Sequence, residues 1–263
     1  MKVTLTSKDL FILMNFLGAK ALIGISSPFQ QVGKEEMEHE WESCFKKLHQ
    51  MGLVDYIDNE LKFDDTFIGA MWVLARTNVI VEILMDEQEK SLFYFSDDSV
   101  VECSRIRDEE YSLKLHGTPD WTWNSIILPR MLMNQENLPT RLSDSLLVTP
   151  QDYTVYRENR GIHNSESLIK FNELKSAPLI VKQLDRSFQR MLHTKRLMMF
   201  YHMNHQWNVE GLHVLASPSY NWTFKMVNRE GMEMLEAEQG TSEKILDEVL
   251  DVIKRVKQEQ PVN

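Results

Sequence analysis

Three histidines, His202, His205 and His213, fall within twelve residues, a density at which a transition-metal site is worth testing. Imidazoles hold zinc only when several converge on one point. In an extended chain the side chains of 202 and 205 leave opposite faces, and Asn204 to Asn208 reads as a turn. His39-Glu40 opens like the helix of a zinc protease, but Ser43 stands where the second histidine would be needed. Neither group predicts a metal site.

Nucleophiles fare no better. Cys44 and Cys103 sit among apolar neighbours on periodic faces, where a thiol is expected to be an inert core group. Ser26-Ser27 follows Gly24-Ile25 without the second glycine or the preceding strand of a nucleophile elbow. The 10 glycines are scattered singly, so neither a P-loop nor a dinucleotide fingerprint can be written, and no cofactor is predicted. Acidic pairs such as Glu35-Glu36, Asp64-Asp65 and Asp97-Asp98 fall at helix starts or turns, where solvation explains them. No catalytic residue is assigned and no enzyme is predicted; a hydrolase would need a deep polar pocket with shifted carboxylates.

The elements that would have to position any site suggest an α+β fold. Residues 1–63 read as a helical, winged-like segment. Thr6 or Ser7 caps a helix through Leu10, Leu13, Met14 and Leu17, a second helix spans Lys34 to Gln50, and a hairpin turns at Asp58-Asn59-Glu60. Residues 64–134 read as helix, four-stranded antiparallel meander and helix, the last opened by Thr118 with Pro119 at its first position. Residues 176–257 state the same pattern again, from a helix at Pro178 to a closing helix at Ser242 to Lys257. That closing helix has its acids early and its bases late. Residues 135–175, with Pro139 and Pro150, read as a connecting segment, either a linker or a loop over a sheet edge. A pseudo-twofold duplicated meander with flanking helices, its halves forming one domain, is therefore predicted.

Charge narrows the partners. The chain carries a net charge of −10, which opposes phosphate backbones and anionic membranes. A winged-helix regulator is the natural rival for the first segment, yet residues 1–65 hold seven lysines, no arginine and eleven acids. Two cysteines far apart favour a reducing cytoplasm. The apolar run Leu10 to Ala19 is broken off by Lys20 and preceded by Asp9, so no signal peptide is expected, and the sequon Asn221-Trp222-Thr223 then carries no meaning. Six methionines, Met198, Met199, Met203, Met226, Met232 and Met234, concentrate in the second meander; they suit a core, or a groove that accepts helices.

The order of elements, with Leu53-Val54-Asp55 and Trp72-Val73-Leu74-Ala75-Arg76-Thr77-Asn78-Val79 leading into a duplicated meander, resembles the EspG family of type VII secretion chaperones. The resemblance covers most of the chain and is one of architecture. It implies a cytosolic protein that binds the tip of a helical-hairpin substrate before export, through its sheet side and C-terminal helices. The matching positions are Asp86, Glu87 and Glu89 in a turn, and Leu246, Val249, Leu250 and Ile253 on the closing helix. Few alanines set the chain apart from the alanine-rich actinobacterial members. A WXG100-like or LXG-like partner is thus expected ahead of a PE/PPE-like pair. A toxin-neutralising protein would use the same binding physics.

Overall fold

Thr6 begins the structure's first helix by closing a capping box: its hydroxyl accepts from the Asp9 N–H while the Asp9 carboxylate accepts from the Thr6 N–H. Strand β1 (Lys2–Thr6) thereby turns straight into α1 (Ser7–Phe16). The computed structural model describes residues 1–19, 23–25, 28–29, 34–57, 60–131 and 144–259. Ser26-Ser27, Asp58-Asn59 and Pro139 lie outside the described residues, as do the side chains of Glu35 and Glu36. Among the described residues no helix is long and apolar enough to cross a membrane.

After α1 come α2 (Lys34–Gln50), the hairpin β2 (Val54–Ile57) and β3 (Glu60–Phe63), and α3 (Asp65–Arg76). A meander follows: β4 (Val79–Met85), β5 (Glu89–Phe95), β6 (Val100–Arg107) and β7 (Glu110–Leu115). The helix α4 (Pro119–Thr122) then runs through a π-helical turn at Trp123–Ile127 into α5 (Leu128–Met131). Pro129 supplies no N–H to that run, which is a physical reason for the widened turn. Thus helical structure continues past the proline rather than ending at it.

The later elements are β8 (Leu146–Val148), α6 (Pro150–Glu158), α7 (Ser165–Asn172), α8 (Ala177–Gln189), β9 (His193–Met203), β10 (Gln206–Ala216), β11 (Asn221–Arg229), β12 (Met232–Gly240) and α9 (Ser242–Glu259). Ten strands make one large sheet in the order β1-β7-β6-β5-β4-β9-β10-β11-β12-β8, and β2 with β3 makes a separate pair. The fold is α+β with an antiparallel sheet, as the turn-linked strand pattern implied.

The topology is stated twice in greater detail than the sequence suggested. A short strand leads into helices, then a four-stranded meander, then a helix, and the short strand pairs with the meander's last strand: β1 with β7, β8 with β12. The stretch after residue 143 is therefore ordered structure that finishes a sheet edge.

By its contacts the chain divides into two compact units, Met1–Val81 with Lys90–Trp123, and Glu82–Glu89 with Asn124–Asn263. In the first, one sheet face presents Leu5, Leu92, Tyr94, Val101, Cys103 and Leu113, all buried. The other face holds Glu102, whose carboxylate lies 2.8 Å from His116 Nε2 with both groups enclosed. In the second unit α6, α7 and α8 bury Tyr153, Leu168, Ile180, Leu184 and Phe188 against Leu215, Trp222 and Phe224. Helix α9 covers the opposite sheet face with Ile245 and Val249, and Lys225–Glu248 and Lys244–Glu238 ion pairs fasten it.

Candidate partner-binding site

Register decides where the second unit's sheet is covered. On the face that carries α6 to α8, Thr194, Leu215, Trp222 and Gln239 form a cross-strand row in which every member is buried. Arg196, His213, Phe224 and Ala237 make the next row. Two residues further along β9 and β10, Met198 faces Gly211, then Phe200 faces Val209, then His202 faces Trp207. Cover fails along this series. Met198 and Phe200 are half-buried, Val209 is 52% exposed, and Met226 on β11, in the same face, is 52% exposed.

The open end is apolar and adaptable. Gly211 forms a dent in it: a Cβ there would collide with the Met198 sulfur and stand 3.0 Å from the Leu197 carbonyl oxygen. The Met198 thioether thus lies over the glycine, a flexible side chain resting in a shallow depression. His202 and Trp207 meet edge to face at 5.4 Å and border the strip. The six methionines sort by face. Met198 and Met226 stand on this open side, while Met199 and Met234 are buried on the α9 side with half-buried Met203 and exposed Met232.

The covered end holds the charges. Arg196 Nη2 donates to Glu82 Oε1 at 2.7 Å, and Arg157 of α6 pairs with Glu87. His213 meets the Tyr153 ring edge-on at 5.4 Å, and burial, with Arg196 and Arg157 nearby, pulls its pKa down to about 4. Burial also pushes the Tyr153 hydroxyl up to about 12 and pulls Lys195 below its ordinary value. Arg196 and Arg157 are each matched by a carboxylate, and the Arg157–Glu87 pair with the Tyr153–His213 contact fastens α6 to the sheet. His202, on the same face as His213, lies opposite Trp207, while His205 occupies the turn; six residues separate His202 from Arg196, the residue opposite His213, roughly 20 Å of strand. Both cysteines are enclosed, and burial first of all pushes their thiols up to about 12, so they stay protonated at neutral pH. Asn221 of the sequon is 1% exposed, which closes it to modification in the folded chain.

The positions implied by the resemblance fall in two places. Asp86 and Glu87 occupy a two-residue turn, each with φ in the left-handed region, at 47° and 58°. Side chains other than glycine adopt it at a cost of about 1 kcal/mol each, and tertiary bonds hold it. The Asp86 carboxylate accepts from the Thr194 N–H at 2.8 Å and lies 3.0 Å from His193 Nδ1; its own N–H donates to the Thr194 carbonyl. Glu87 is bound to Arg157, and Glu89 is exposed. On α9, Val249 is buried, Leu246 and Leu250 are half-buried, and the side chain of Ile253 lies outside the described residues. The turn's bonds run to β9 and α6, and the helix's ion pairs run to β11 and β12 on the other sheet face.

Family models and curated proteins give no match to this sequence. Solved structures do. The chain superposes on the type VII secretion system chaperone EspG5 of Mycobacterium tuberculosis, solved in complex with a PE25–PPE41 dimer, with a TM-score of 0.64. The fold is EspG-like. The match takes in 100% of this chain and 98% of the other at 11% sequence identity, so what the two share is the path of the backbone. The open strip on β9, β10 and β11 was not legible as a site in the sequence. The cluster of methionines was its one signal, and that signal lacked the register needed to say which of them face outward.

Proposed function

We propose that this protein is a cytoplasmic chaperone or adaptor that binds a helical-hairpin substrate of a type VII secretion system and keeps it soluble for export. One observation carries the reading: a chain that shares the EspG-like fold end to end leaves an apolar, methionine-bearing strip of its sheet uncovered. An exposed strip of this kind marks an interaction surface on a folded protein. Methionine and a glycine dent suit the irregular side of a helix better than a fixed polar ligand. The substrate is an apolar-faced helical pair, either PE/PPE-like, as in the complex of the structural neighbour, or WXG100-like or LXG-like. Of the other positions, Glu89, Leu246 and Leu250 keep surface that a partner can reach, whereas Val249 is spent on the core.

Co-expression with candidate helical-hairpin proteins, followed by co-purification, tests the proposal. Val209→Asp and Met226→Asp should abolish the complex and leave thermal stability within about 0.5 kcal/mol of the parent, as exposed positions do. A complex that survives both substitutions places the partner elsewhere. A chain that retains no helical-hairpin protein at all is not such a chaperone.

A further inference from the structure

The first unit has an exposed aromatic surface of its own. Phe16 at the end of α1 contacts Trp41, Phe45 and Phe63 at ring distances of 5.7, 6.1 and 6.0 Å, and Trp41 stacks on Phe45 at 5.3 Å. These rings are not a core. Phe16 is 47% exposed, and the other three are half-buried.

The β2–β3 hairpin prolongs the same surface. Val54 opposes Phe63, and Tyr56 opposes Leu61, so these four share one hairpin face. Its inner half is covered, with Val54 buried and Phe63 against the rings of Phe16 and Phe45. The outer half is open: Tyr56 is 65% exposed and Leu61 is 42% exposed. A two-stranded hairpin is marginal by itself, and solvent selects polar residues on an uncovered face. Apolar residues here need another explanation than folding.

Charge around the surface specifies what covers it. Glu38 and Glu42 flank Trp41 on α2, Asp55 and Glu60 lie on the hairpin, and all four are exposed. Among the described residues, Lys46 and Lys62 are the exposed lysines of α2 and the hairpin, Lys62 paired across the hairpin with Asp55, whose carboxylate also stands 3.2 Å from His49 Nδ1. The acids outnumber the bases, as they do over the whole of residues 1–65. Such a rim repels phosphate and a second copy of the same surface, and it attracts a cationic flank.

We infer that the ledge formed by Phe16, Trp41, Phe45, Leu61 and Tyr56 is a second protein-docking surface, whose occupant is a segment with an apolar face flanked by lysine or arginine. It stands independently of the proposed chaperone role, because it uses residues of the other unit. An adaptor with two such surfaces can hold one protein while it engages another.

Fluorescence anisotropy on the full chain tests this with two labelled helix-forming peptides of one apolar pattern, one of leucine and lysine, one of leucine and glutamate. The lysine peptide should bind, and the glutamate peptide should bind at least tenfold more weakly. Leu61→Asp and Tyr56→Asp should each weaken binding tenfold or more, although the added negative charge by itself would favour a cationic peptide. Glu38→Lys with Glu42→Lys should weaken it and flatten its salt dependence. Val209→Asp should leave it unchanged. Equal binding of both peptides, or binding indifferent to Leu61→Asp, overturns the inference. So does sedimentation showing a dimer of the parent chain that Leu61→Asp disperses, or salt-sensitive retention of duplex DNA.

Discussion

His213 is a base that the fold keeps neutral. Burial and two neighbouring arginines hold its pKa near 4, whereas the unfolded chain titrates at the ordinary histidine value of about 6.5. Between these values the unfolded state binds the additional proton. Stability contributed by His213 is therefore complete above about pH 6.5 and declines as pH falls toward 4, by a few kcal/mol at most. Chemical denaturation at pH 7 and pH 4.5 should show this loss for the parent and a smaller one for His213→Gln. Ser187 is the second residue on which much converges. Its hydroxyl accepts from Trp222 Nε1 at 2.9 Å and from Ser217 at 3.2 Å, and donates to the Gln183 carbonyl. Ser187→Ala leaves a fully enclosed indole N–H without its acceptor, for which a loss of about 1–3 kcal/mol is expected in the same measurement. The spacing of α8 places 187 on the apolar side; the need for a hydroxyl there comes from Trp222, on a strand 35 residues further along the chain.

At the scale of elements, periodicity and caps located most of the fold. The helix Asp65–Arg76, the strand Val79–Met85 and the Thr118-Pro119 start occur where turn chemistry and apolar spacing put them. Two strands escape that spacing for one reason. Strands β1 and β8 are five and three residues long, too short for alternation to show, and each exists because a long neighbour offers an edge. Helix α6 had a legible signal: Thr149 and Pro150 repeat the cap-and-proline pattern of Thr118 and Pro119, and the Thr149 hydroxyl accepts from the Asp152 N–H. Proline read only as a breaker hides it. The Thr6 cap supports a testable expectation, since Asp9 closes the box and also pairs with Lys47 of α2 at 2.5 Å. Thr6→Ala should destabilise the chain by about 1 kcal/mol, read as a lowered unfolding midpoint. An unchanged midpoint would mean that the strand-to-helix turn is held by β1 pairing alone.

For the whole molecule, the net charge of −10 bears on which partner the proposed chaperone would accept. The field disfavours nucleic acid and favours neutral or cationic proteins, and in the proposed complexes the exposed apolar surfaces would supply the contact area. If the partner binds the folded chain, its free energy adds to stability by mass action. At a free partner concentration of 100 times Kd the gain is about 2.7 kcal/mol, so the unfolding midpoint of the chain should rise on titration with a purified substrate. A midpoint that stays fixed in a stable complex would show that native and unfolded chains are bound alike, contrary to docking on a preformed sheet face.

The sequence by itself determined the class of fold, the duplicated meander and the sign of the surface field, because these rest on local spacing, turn residues and summed charge. It also showed that the usual nucleophile and phosphate-binding motifs cannot be written. Only the tertiary structure decided which methionines face out, that Asp86 and Glu87 are tied to β9 and α6, and that Tyr56 and Leu61 stay exposed on the hairpin. Strand alternation assigns a residue to one of two sides. Which side is covered, and where the cover stops, depends on helices that arrive from elsewhere in the chain.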